Sequence, residues 1–85
     1  MPAPDIILDK PFLLVSLSAS PLGIVPLKQG FVIGYVEKVY ETSDKTETGQ
    51  YVMFDKDKSR AFVYGSTVYY IVDENDSLFQ ENPAL

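Results

Sequence analysis

Phe31–Tyr40 reads FVIGYVEKVY, and seven of its ten positions are β-branched or aromatic. Such residues fit a pleated, half-buried surface, and no apolar period of 3.6 residues runs through them. Read at period two, one face carries Phe31, Ile33, Tyr35 and Val39, and the other Val32, Val36 and Tyr40. The stretch predicts a long strand. Directly after it comes Glu41–Gln50 (ETSDKTETGQ), polar and closed by Gly49, followed by the apolar run Tyr51–Asp55. That succession is strand, connection, antiparallel strand.

The same reading extends outward in both directions. Strands are expected at Asp5–Leu8, Phe12–Leu17, Ala61–Tyr64 and Thr67–Val72, with a short one at Ser77–Gln80. Asp55–Arg60 (DKDKSR) reads as a tight charged turn, and Gly65-Ser66 as a two-residue hairpin turn. Many short strands in 85 residues define an all-β chain. The expected fold is a single small antiparallel β-barrel, GroES-like or SH3/OB-like, one sheet layer closed on itself. It would span residues 1–85, with a short acidic C-terminal tail from about residue 73.

Composition then narrows the function. Hydrophobic residues at 46% and charged residues at 22% suit a folded chain rather than a disordered one. At this length a lone core is marginal, and small domains often add disulfides, a metal or a partner subunit. The chain has no Cys and no His. Disulfides, the usual zinc sites and Ser–His–Asp or Cys–His catalysis are thereby excluded, which leaves association as the available reinforcement. Seven Lys and Arg against twelve Asp and Glu give a net charge of −5. That balance opposes binding to a nucleic-acid backbone or an anionic membrane, so the expected partners exclude both.

Several segments invite a chemical reading and lose it on inspection. Pro11–Leu27 carries no charge, and FLLVSL (Phe12–Leu17) precedes Ser18-Ala19-Ser20 in the manner of a leader with a small-residue cleavage site. Asp5 and Asp9 stand where a leader is basic, and Pro11, Pro21 and Pro26 interrupt any span. The expected location is therefore soluble and non-secreted: virion if the protein is viral, otherwise cytoplasmic. Asp55-Lys56-Asp57-Lys58-Ser59 opens like a calcium loop, but Arg60 takes the glycine position and Ser66 the final glutamate position. Asp73-Glu74-Asn75-Asp76 is an acidic run without a turn glycine. The five glycines are dispersed, so no phosphate cradle forms, and no G-x-S-x-G elbow occurs. The reading is non-enzymatic, with no catalytic residue, metal or cofactor.

What the strands do offer is apolar residues on both faces. In Thr67–Val72, Tyr69 and Ile71 lie on one face and Val68, Tyr70 and Val72 on the other. A barrel wall needs only one apolar face, so the second is expected to be covered, either by tolerated amphipathic tyrosines or by a neighbouring subunit.

In order along the chain, Gly23-Ile24-Val25 with Leu27, Gly30-x-Val32, Gly49-x-x-Val52-x-Phe54, Tyr64-Gly65 and Val68–Leu78 form a pattern that resembles the GroES-type co-chaperonins. Ile6-Ile7-Leu8 followed by Lys10 is similar to that family's opening strand, so the resemblance spans about Asp5 to Leu78. It implies an irregular barrel whose first and last strands pair between subunits of a ring. It also implies that Ile24, Val25 and Leu27 dock on a chaperonin. The chain departs from the pattern at Pro26, in the short return Lys28-Gln29 before Gly30, and in the reduced hairpin Glu41–Gln50.

Three function classes follow. The first is a structural subunit that docks by strand edges and Tyr-rich faces onto a larger symmetric assembly, such as a phage or viral particle, as a capsid-decorating or neck protein. The second is a reduced co-chaperonin ring subunit. The third is a protein-binding SH3-like or OB-like module. In each case the partner is protein, self or a larger assembly such as a capsid or chaperonin, and a homo-oligomer or assembly-bound form is expected. The residues expected at the contact are Phe12, Leu14, Ile24, Val25, Leu27, Tyr35, Tyr40, Tyr69, Tyr70, Leu78 and Phe79.

Overall fold

The structure, a computed structural model, describes residues 4–19, 23, 25–27, 29–42, 46–77 and, by backbone alone, 79–81. Among the described residues six strands form: β1 (Phe12–Leu17), β2 (Phe31–Val39), β3 (Tyr51–Asp55), β4 (Arg60–Tyr64), β5 (Thr67–Asp73) and β6 (Phe79–Glu81). Two short 3₁₀ turns, Lys56–Lys58 and Glu74–Asp76, follow β3 and β5. All strands join one antiparallel sheet in the order β4-β5-β1-β2-β3-β6.

The first strand in sequence is thus an interior strand, hydrogen-bonded to β5 on one side and β2 on the other. Its composition explains the placement. FLLVSL has no charge and is apolar on both faces, so it belongs where both faces are covered, and Leu13, Leu14 and Val15 are fully buried. The run that looks like a leader's apolar segment is the middle of the sheet.

The sheet curls around one face. Leu13, Val15, Val36, Tyr40, Val52, Phe54 and Val72 form the core there, with Leu8, Val32, Val39 and Tyr70 packed against it. Fully burying a side chain of this kind contributes about 1.5–3 kcal/mol. The radius of gyration, 11.9 Å, equals the roughly 12 Å expected of a compact chain of this length. Between Leu14 and Val15 the β1–β2 register shifts: Leu14 faces Lys38 but Val15 faces Val36, so Glu37 is an extra residue. This bulge turns Val39, opposite the core residue Leu13, onto the core side. The two-face assignment made from the sequence put Val39 on the opposite face because strict alternation cannot register an inserted residue.

Two glycines set close geometry. Gly34 lies at the crossing of β1, β2 and β3, opposite Leu17 and Val52, where no side chain fits. Gly65 takes φ +65° as the first central residue of the β4–β5 turn, and among the described residues only glycines have positive φ. That is the II′ geometry, whose twist suits a two-residue hairpin.

Three expectations change. Asp5–Leu8 is not a strand: Ile6 N–H donates to the Pro4 carbonyl and Phe12 N–H to that of Asp9, so this segment turns back on itself. Lys38 Nζ donates to Asp5 Oδ1 (3.1 Å) and the Ile6 carbonyl (3.0 Å), and Leu8 reaches the core while Ile7 stays exposed. Of the expected acidic tail, the described residues are built into the fold: Glu74 is buried, its N–H donates to the Pro11 carbonyl, and the backbone of β6 pairs with β3, while residues 78 and 82–85 lie outside the described residues. Finally, β4 and β6 are the two ends of the strand order; among the described residues no pairing joins them, and the sheet is open.

Candidate interaction surface

The surface is best built from what the core leaves over. On the convex face, β4 and β5 stack aromatic side chains in a row. Phe62 lies on Tyr69 with ring centroids 5.7 Å apart, and Tyr64 meets Tyr69 edge-on at 6.5 Å. These are ordinary aromatic separations, and they bury Tyr69 within its own chain. Further along the same face Tyr35 meets Tyr51 edge-on at 5.4 Å. Part of the tyrosine surplus is therefore used internally.

Tyr40 is internal for a different reason. Its hydroxyl donates to Glu74 Oε1 at 2.5 Å, both groups being buried. This bond joins the end of β2 to the turn after β5, and a buried carboxylate demands such a partner.

The expected contact residues separate accordingly. Leu14, Tyr40 and Tyr69 are buried inside the chain, so they present almost nothing to a partner; their apolar area went into cross-strand packing that a period-two reading could not assign. Tyr70 is half-buried on the core side, tilted against Phe54 at 5.6 Å. Tyr35 is half-buried on the convex face. Phe12 is exposed there, beside Ile71, in a cleft of about 410 Å³ ringed by Lys58, Arg60, Asp73 and Asp76. Val25 and Leu27 are the most open of the set, with Leu27 99% exposed, on the connection from β1 to β2. Ile24 and Leu78 lie outside the described residues, and Phe79 is placed by its β6 backbone, opposite Met53.

Described residues of the β1–β2 connection and the adjoining strand ends, among them Leu17, Val25, Pro26, Phe31 and Ile33, line an open apolar groove of about 580 Å³. Residues that the sequence reading passed over complete the surface: Val63 (68% exposed), Tyr64 and Val68 project from the β4–β5 hairpin. The available signal was Ala61–Tyr70, ten residues without a charge, which is more apolar side chain than a two-stranded hairpin can hide.

The two acidic motifs share one local structure. Asp55 Oδ1 accepts from Asp57 N–H, and Ser59 Oγ donates to the Asp55 carbonyl. Asp73 Oδ1 accepts from Asn75 N–H, and Ser77 Oγ donates to the Glu74 carbonyl. In each D-x-[DN]-x-S stretch the first aspartate caps a 3₁₀ turn and the serine closes it. Among the described residues no group of three acids is placed to hold a metal ion. No helix among them is long and apolar enough to cross a membrane.

Comparison of the chain with protein-family models, with curated proteins and with solved structures found no match.

Proposed function

We propose that this chain is a non-enzymatic assembly subunit, docking through its sheet edges and exposed apolar side chains onto a larger symmetric assembly. A phage or viral particle, with the chain as a decorating or neck protein, is the example this reading favours. The observation that carries it is the open sheet: β4 and β6 end the strand order, and large apolar residues stand exposed around the β4 hairpin and the β1–β2 connection. Free strand edges recruit further strands, and apolar surface supplies the area. In this reading the curled sheet completes its barrel, or its wall, only in the assembled form. Localisation follows the assembly, in the virion if the source is viral and otherwise in the cytoplasm.

A second reading has its own observation. Val25 and Leu27 are exposed on the one connection where the resemblance to GroES-type co-chaperonins places a docking loop. Here the chain is a ring subunit that caps a chaperonin.

Light scattering over a range of concentrations, alone and with a chaperonin and nucleotide, tests both. A ring that binds the chaperonin selects the second reading. A chain that ignores chaperonin but co-sediments with intact particles selects the first. A monomer that does neither overturns both and leaves the protein-binding module.

A further inference from the structure

Resting on the assembly reading, the geometry points to β4 as the edge that pairs, and to β4 of a second copy of this chain as the strand it pairs with. The Gly65-Ser66 turn makes Tyr64 and Thr67 a hydrogen-bonded pair, so Phe62–Tyr69 and Arg60–Ile71 are hydrogen-bonded pairs too. It follows that Ala61 and Val63 turn their backbone N–H and C=O away from β5, towards the free edge. Among the described residues no backbone bond takes them up.

This edge lacks the features that usually block strand addition. Arg60–Tyr64 (RAFVY) has no proline and no bulge, and its one charge stands at its first position. At three residues, β6 offers a shorter template.

The strand also complements itself. Only residues with outward backbone groups can form hydrogen-bonded pairs, and an antiparallel two-fold pairing centred on Phe62 matches Ala61 with Val63 of the second copy on both sides of the axis. The small side chain then sits beside the larger one on the concave face. On the convex face Phe62 meets its own counterpart, and Arg60 lies beside the ring of Tyr64 of the second copy, the arrangement of a cation–π contact. Charge agrees with the register. Lys58 and Arg60 of one copy lie against the uncharged Tyr64–Thr67 end of the other. The two Arg60 positions are about four residues, roughly 13 Å, apart along the pair, beyond the ~8 Å Debye length at physiological salt. A five-residue pairing falls at the small end of specific interfaces, so the dimer is expected to depend on concentration.

The test uses the full chain in analytical ultracentrifugation, with Val63→Pro and Phe62→Cys. Proline at 63 removes an N–H that faces the edge and not β5, so the monomer should keep its circular dichroism while association weakens at least tenfold. Phe62→Cys introduces the only thiol in the chain, which should form an intermolecular disulfide on mild oxidation. Non-hydrogen-bonded partners sit about 4.5 Å apart at Cα, within disulfide reach. Val68→Cys, on the neighbouring strand, should not cross-link. Three results would overturn the inference: a wild type that stays monomeric at all concentrations, Val63→Pro associating like wild type, or a Phe62→Cys variant that oligomerises without forming the disulfide. Binding of Val63→Pro to particles or chaperonin reports separately on the assembly reading.

Discussion

Gly34→Ala should be among the most damaging one-carbon additions available to this chain. A Cβ at Gly34 would lie 2.1 Å from Val15 Cγ1, 2.8 Å from the Ser16 carbonyl oxygen and 3.0 Å from Phe54 Cε1. Carbon atoms in contact sit about 3.5–4.0 Å apart, so the first distance is short by roughly 1.5 Å. Little can give way. Val15 is fully buried and stiff at χ1, the oxygen belongs to the β1 backbone, and Phe54 is fully buried as well. Overpacking usually costs about 1–3 kcal/mol, and a clash with backbone on one side and a β-branched side chain on the other belongs at the upper end. A chain of this length has about 4–13 kcal/mol of stability in all. At about 4–8 °C per kcal/mol, a loss of about 3 kcal/mol lowers Tm by roughly 12–24 °C. Thermal and urea unfolding followed by circular dichroism measure it. Val15→Ala removes the nearest atom, so the double variant should be more stable than the two single losses added together. A Gly34→Ala protein that melts with wild type, or strictly additive losses, would refute the β1–β2 register.

Other outcomes follow from the same structure. Tyr40→Phe removes the hydrogen bond to buried Glu74 and should cost about 1–3 kcal/mol in urea unfolding, against near-wild-type behaviour for the exposed Tyr64→Phe. Asp55→Ala and Asp73→Ala each remove a cap from a 3₁₀ turn; both should lose about 1 kcal/mol, and calcium should raise the Tm of neither the variants nor wild type. Leu27→Asp should stay within about 0.5 kcal/mol of wild type because the side chain is fully open. The same variant should lose chaperonin binding in light scattering if the second reading holds, and should weaken co-sedimentation with particles if the first does, since that reading also docks through the β1–β2 connection.

Strand positions were legible because β-branched and aromatic runs alternate with polar or glycine-containing turns; Phe12–Leu17 and Tyr51–Asp55 match residue for residue. Asp5–Leu8 misled because three consecutive apolar residues look like a strand, whereas Leu8 alone is drawn to the core and the Lys38 contacts hold the segment from outside the sheet. The contact surface was legible only in part. Val25 and Leu27 are exposed as a loop position implies, but a tyrosine's sequence neighbours do not reveal which aromatic ring from another strand will cover it. Tyr69 is buried by Phe62 and Tyr64, and Tyr40 by its tie to Glu74, a residue 34 positions away. Val63 and Val68 were missed for the converse reason, since the hairpin extends beyond the sheet that would have covered them.

The interior position of β1 bears on how the chain is made. Leu13 pairs with Val72, 59 residues later, whereas β1, β2 and β3 follow one another and can zip together as soon as they emerge. At about 5–20 residues per second, synthesis leaves one side of FLLVSL without its partner strand for roughly 3–12 s. During that interval the most apolar strand of the protein is an open template, suited to capturing another nascent copy or a holding chaperone. Arrival of β5 closes it. A chain truncated between β3 and β5 therefore keeps its most adhesive segment uncovered, and nonsense or frameshift products ending there should go to inclusion bodies or proteolysis rather than persist as soluble fragments.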